Sequence, residues 1–272
     1  MDNGKAHQKS CTSYLFVPGN RPERFAKAWD SGAHAVIVDL EDAVAPQDKS
    51  AARDACAAAL SGQRPVIVRI NGADTEWFRD DVEMSRAVGV AAVMVPKAER
   101  VEELAWVTSR VGAAVPLLPL IETAQGIWNV IDIARHPDVQ RLAFGAIDFQ
   151  VDLGIDGDGD ELLHFRSQMV LASRVAGIMP PVDGVTTALD DQECLQADTI
   201  RARRLGFGGK LCIHPRQVAL VNACFRPGDE EANWARRVLQ LAASANGAAV
   251  SVDGKMVDKP VILRAQAILA RL

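Results

Sequence analysis

Eight short apolar runs punctuate the chain: Tyr14–Val17, Ala35–Leu40, Val66–Ile70, Ala91–Val95, Leu117–Ile121, Leu142–Ala146, Val182–Thr186 and Lys210–Ile213. They are rich in Val, Ile and Leu and mostly lack polar alternation, as strands covered on both faces do. Amphipathic stretches between them predict helices over Pro22–Ser31, Gln47–Leu60, Thr75–Val88, Val101–Val111, Gly126–Ala134, Leu162–Ala176 and Asp190–Leu205. Asp48 and Ser50 precede one helix and Asp190 opens another, as capping residues do. Gly32, Gly89, Gly112, Gly177 and Gly206 stand where helices are expected to stop. Strands alternating with helices imply a parallel sheet. Eight is the number that closes a (β/α)₈ TIM barrel, and an open doubly wound sheet is the alternative.

The tail breaks this rhythm. Asp229–Ala245 reads as one more helix, followed by a small hairpin: Ala248–Val252, the turn Asp253-Gly254, and Lys255–Val257. Pro260–Leu272 reads as a closing helix. The expected organisation is a flexible leader over 1–12, a barrel over 13–227 and a C-terminal helical and hairpin extension over 228–272. The extension is not needed to close a barrel, so it packs on its own barrel or on a neighbouring subunit.

Composition narrows the class. The 272 residues suit one barrel of about 250 residues. A 24% share of charged residues and a net charge of −5 without a basic stripe argue against nucleic acid. No apolar run approaches the roughly 20 residues of a membrane helix, and the polar leader lacks the apolar core of a secretory signal. The five cysteines are odd in number and form no C-x-x-C pair, which favours a reducing, cytoplasmic setting.

The ends of the runs carry the chemistry. Run one leads into Pro18-Gly19-Asn20-Arg21, run two into Asp39-Leu40-Glu41-Asp42, and run three delivers Arg69 and Asn71. Run four ends at Pro96-Lys97, run five at Glu122-Thr123, run six at Asp148, run seven at Thr186-Thr187 and run eight at His214-Pro215. In barrels and open sheets alike, the C-terminal ends of the strands form the ligand side. Glu122 and Asp148 lie on consecutive expected strands. Two carboxylates without Cys or His suit a hard cation such as Mg²⁺, and a protonated pair in acid–base work is the rival. Arg69 presents a planar fork suited to a substrate carboxylate or enolate oxygen; its alternative is a salt bridge to Glu41 or Asp42. Three motifs fail: Asp156–Asp160 lacks the Gly and Glu of a calcium loop, Gly206–Leu211 lacks Walker spacing, and His214 has no nucleophile motif beside it.

Taken together, Tyr14–Arg24, Val38–Val44, Val68–Asn71, Pro119–Ala124, Phe144–Asp148 and Gly209–Pro215 resemble the citrate lyase β-subunit-like family, with its malyl-CoA and citramalyl-CoA lyases, within the HpcH/HpaI aldolase superfamily. The resemblance runs from about Ser13 to the C-terminus. It implies a (β/α)₈ barrel assembled as a homotrimer or hexamer, and Mg²⁺ at Glu122 and Asp148. It implies reversible cleavage of a 3-hydroxyacyl thioester into a 2-oxo acid and an acyl thioester. Arg69 matches the arginine at the substrate, with Glu41 and Asp42 beside it. Asp258, in Asp253–Pro260, matches a lid aspartate that reaches a neighbouring subunit as acid/base. Arg21, Arg24 and Lys27 are the expected contacts for CoA phosphates, or else solvated charges at a helix start. Thr186-Thr187-Ala188 and Ala146 depart from the family pattern, at positions expected to line the pocket. Two alternatives stand beside this activity: an aldolase acting on free 2-oxo acids, and a non-catalytic subunit of a citrate lyase complex.

Overall fold

The computed structural model describes residues 11–60, 62–244, 250–252 and 255–272. The expected leader up to Ser10 and the expected turn Asp253-Gly254 lie outside them. The chain divides into two compact units, 1–222 and 223–272.

In the first unit eight parallel strands close in sequence order. They are β1 Ser13–Pro18, β2 Ala35–Asp39, β3 Val66–Arg69, β4 Val90–Val95, β5 Leu117–Ile121, β6 Arg141–Phe144, β7 Met179–Asp183 and β8 Gly209–Cys212. Closure runs through β1 and β8, with Tyr14 opposite Leu211. The intervening helices are α1 Phe25–Asp30, α2 Lys49–Ala59, α3 Phe78–Met84, α4 Val101–Val111, α5 Ala124–Trp128, α6 Val130–Ala134, α7 Ala146–Leu153, α8 Leu163–Ala176 and α9 Gln192–Leu205. The (β/α)₈ barrel is therefore the observed architecture.

Strand period places the core and the site together. Ala35 and Ile37, Ile67, Leu118 and Leu120, Ala143 and Leu211 all belong to one buried cluster inside the barrel. Side chains two apart share a face of a strand. Asp39, Arg69 and Glu122 each follow an inward residue (Ile37, Ile67, Leu120) by two, so all three point inward at the C-terminal rim.

Several elements depart from expectation. Pro180 and Pro181 cannot donate to a ladder, and they obscure the start of β7. The strand accepts them where its register against β6 shifts, between Arg141 and Ala143, so Thr186 and Thr187 fall in the loop beyond it. The stretch Gly126–Ala134 is two short helices that meet at Asn129. Asn129 Nδ2 donates instead to the Glu99 carbonyl at 2.8 Å. Asp48 makes no side-chain cap. Asp191, rather than Asp190, caps α9 by accepting from the Cys194 N–H. Gly177 and Gly206, with φ of 72° and 104°, end α8 and α9 in the left-handed conformation that suits glycine.

Helix α10, Pro215–Phe225, spans the boundary between the units. The second unit contains α11 Asp229–Ser244, the antiparallel pair β9 Val250–Val252 and β10 Lys255–Val257, and α12 Lys259–Leu269. Its own core joins Ala235 and Val238 of α11 to Val257, Ala265 and Ile268. No helix among the described residues is long and apolar enough to cross a membrane.

Candidate active site

At the C-terminal rim, a cavity of about 410 Å³ is lined by Asp39, Asp42, Arg69, Glu122 and Asp148, among apolar residues from β1, β6 and β8. The two carboxylates expected to converge therefore face one space. Their supports differ. Glu122 follows β5 directly and is 2% exposed. Asp148 is not on a strand: β6 stops at Phe144, and Asp148 is an exposed residue in the first turn of α7. Gly145 makes the break. A Cβ there would fall 2.6 Å from the Cβ of Glu122, so only a glycine backbone passes this close. Its N–H still donates to the Ile121 carbonyl at 3.0 Å, and the chain then turns into the helix.

Glu122 Oε1 accepts from the Lys97 backbone N–H at 2.8 Å. Burial first, then the charges of Glu41 and Asp148, push its carboxyl well above the ordinary range; the Lys97 N–H and Arg69 oppose this. Glu41 is held up to about 7, mainly by burial and also by Asp42 and Asp39, with Arg69 pulling the other way. Glu41 Oε2 is buried without a hydrogen-bond partner; Arg69 Nη1 lies 3.1 Å away, at a distance for ionic attraction but without hydrogen-bond alignment. Desolvated carboxylates that repel one another, with an oxygen lacking a donor, form a setting that a small hard cation relieves. Among the described residues, no three His, Cys, Asp or Glu side chains form a metal cluster. A cation here would be gripped by two carboxylates and would keep waters or substrate oxygens, the habit of Mg²⁺.

Arg69 is committed more deeply than a free substrate clamp. Nε and Nη2 donate to the two Asp39 oxygens at 2.7 and 2.6 Å. Nη1 lies 3.1 Å from both Glu41 and Asp42. The expected alternative, a bridge to Glu41 or Asp42, is thus present, but the main partner is Asp39. Sequence reasoning placed Asp39 at the end of its strand without giving it a role. The available signal was its phase, two residues beyond Ile37, matching Arg69 beyond Ile67. Asp39 also accepts from the Glu41 and Ala43 N–H groups, and Lys49 Nζ donates to the Leu40 and Glu41 carbonyls at 2.8 Å. The acidic loop after β2 is therefore held from beneath.

Arg21, Arg24 and Lys27 are exposed, none lines the cavity, and Arg21 pairs with Glu23 at 2.6 Å. Asp258 caps α12, with Oδ1 accepting from the Val261 N–H at 3.1 Å. His214 Nδ1 accepts from the Arg216 N–H, a local loop contact. In the loop that mimics a calcium site, Asp158 is taken by Arg166 and Arg201 at 2.7 and 3.0 Å. Ala146 lines both the main cavity and a smaller one of about 230 Å³ that carries Thr186, Thr187 and Ala188. None of the five cysteines is in a disulfide.

A closed (β/α)₈ barrel with paired acids and an anchored arginine at its C-terminal rim is the frame of a carbon–carbon lyase, and comparison with known proteins agrees. The HpcH/HpaI aldolase/citrate lyase family model matches residues 12–215. A citrate lyase subunit beta-like protein of Deinococcus radiodurans is 38% identical, over 95% of this chain and 96% of its own. A (3S)-malyl-CoA thioesterase of Cereibacter sphaeroides is 38% identical over 95% and 93%. The structure of CitE from Mycobacterium tuberculosis, in complex with magnesium, acetoacetate and coenzyme A, superimposes with a TM-score of 0.87 at 35% identity, covering 98% of this chain and 99% of that one. The chain belongs to the HpcH/HpaI aldolase/citrate lyase family.

Proposed function

We propose that this chain is a Mg²⁺-dependent lyase that reversibly cleaves a 3-hydroxyacyl-CoA thioester of the malyl or citramalyl type into a 2-oxo acid and a shorter acyl thioester. The observation that carries the reading is the facing of Glu122, Asp148 and Arg69 onto one rim cavity. Magnesium and coenzyme A in the complex of the CitE relative support the cofactor and the substrate class.

Glu122 and Asp148 would hold the ion, which when bound supplies Lewis acidity to hydroxyl and carboxylate oxygens. In the cleavage the hydroxyl gives up its proton to solvent, from which Asp258 is recharged, and becomes the carbonyl of the 2-oxo acid. The electron pair of the broken carbon–carbon bond passes to the thioester fragment as an enolate. Arg69, locked on one edge by Asp39, offers that charge a preorganised cation. Asp42 is exposed and holds only Nη1, so substrate can take its place there, with Glu41 remaining at the same nitrogen. Asp258 delivers a proton to the enolate carbon, reaching the cavity from a neighbouring copy in a homotrimer or hexamer. Arg24 and Lys27, with Arg21 once it leaves Glu23, hold the CoA phosphates. The five thiols favour a reducing, cytoplasmic setting.

The thioesterase relative supports a second reading, in which the same site ends in hydrolysis. One assay separates them. Malyl-CoA, citramalyl-CoA and a free 4-hydroxy-2-oxo acid are incubated with the purified chain, with and without Mg²⁺, and 2-oxo acid and free thiol are measured. A Mg²⁺-dependent 2-oxo acid without free thiol is expected. Free thiol without 2-oxo acid favours hydrolysis, and turnover of the free acid alone refutes the thioester assignment.

A further inference from the structure

Lys97 is the only non-glycine residue with a positive φ, 45°, among the described residues. That conformation crowds the Cβ of an ordinary residue, and outliers of this kind gather at functional sites. It occurs where β4 has just ended and the chain must turn away. Pro96 has no N–H to give, and the Ala98 N–H returns to the Leu120 carbonyl at 3.2 Å. The N–H between them, that of Lys97, is left to a side chain and donates to Glu122 Oε1 at 2.8 Å. On another side Gly145 packs against the Glu122 Cβ. The carboxyl is thus fixed by two backbone features, neither of which can change rotamer.

We propose that Lys97 is a positioning residue for Glu122: its left-handed backbone, rather than its ammonium group, aims the peptide N–H that sets the carboxylate's presentation to the cavity. The cation part of the test rests on the proposed function above. The competing reading is that the exposed ammonium matters through its attraction to the acidic rim, Glu41 included.

Replacements of equal charge separate the two. K97G and K97N remove the ammonium but favour a left-handed backbone. K97V removes the same charge and resists that conformation through its branched Cβ. Mn²⁺ titrated into each apoprotein and followed by electron paramagnetic resonance gives the affinity; kcat and KM follow on the loaded enzyme. The expected result is Mn²⁺ affinity within threefold of wild type for K97G and K97N, and a loss of at least tenfold for K97V. The kcat of K97V falls while K97N restores it. Equal losses in K97G and K97V, or no loss in K97V, overturn the proposal. Should K97V not fold, K97A against K97N carries the same contrast. If E122Q binds Mn²⁺ as tightly as wild type, the cation assignment fails instead. Crystal structures of K97G and K97V then decide for Lys97: the bond to Glu122 must persist in the first and break in the second.

Discussion

Replacing Glu41 with Gln tests whether the acidic rim is as desolvated as its packing implies. The carboxyl rises from an ordinary 4.5 to about 7 in the folded chain, with burial as the leading cause. Below about pH 4.5 it carries a proton in both folded and unfolded states. Between 4.5 and about 7 the folded chain keeps the proton and the unfolded chain has lost it, so unfolding releases a proton and stability falls as pH rises. Above about 7 both forms are ionised and the loss is complete. A rise of this size corresponds to about 3 kcal/mol, or roughly 6 °C in Tm for a protein of this length. In thermal melts of the apoprotein in EDTA between pH 4.5 and 8, wild type should lose stability across the window. E41Q should lose markedly less and be the more stable at pH 8. Glu122, raised by the same neighbour, keeps part of the slope in the variant. Parallel curves for the two proteins would refute the argument.

Other outcomes follow from the same contacts. R69K removes the two-pronged grip on buried Asp39 and, since lysine cannot supply a fork, should lower kcat at least 100-fold. R69M leaves Asp39 as an uncompensated buried charge and should cost about 3–5 kcal/mol in urea unfolding; a loss below 1 kcal/mol would contradict the pairing. G145A drives a methyl into Glu122, so calorimetry should show Mg²⁺ affinity falling at least tenfold. D258N keeps the cap on α12, because Asn caps as well as Asp. It should hold Tm and Mg²⁺ affinity while cutting turnover at least 100-fold; unchanged turnover removes Asp258 from the chemistry.

The barrel was legible because its strands are continuous apolar runs and because α4, α8 and α9 stop at glycines. The rim was legible because charges recur where those runs end. What escaped was local. Asp148 looked like a strand-end residue because Leu142–Ala146 runs on in apolar residues, and only the approach of Glu122 to Gly145 reveals where the strand must stop. Helix α10 escaped because Val218–Val221 has no polar residue to set a helical period. Asp39 went without a role because its neighbours, buried Glu41 and exposed Asp42, resemble ligands, whereas the residue in phase with the barrel interior is the one that grips Arg69. The strained backbone of Lys97 leaves no mark in composition or periodicity.

Anomalous diffraction from crystals grown with Mn²⁺ tests directly whether Glu122 and Asp148 together hold one divalent ion inside the rim cavity. A single peak between the two carboxyl groups, at about 2.0–2.2 Å from an oxygen of each and absent in E122Q, is the expected result. A peak elsewhere, or none at saturating Mn²⁺, would contradict it.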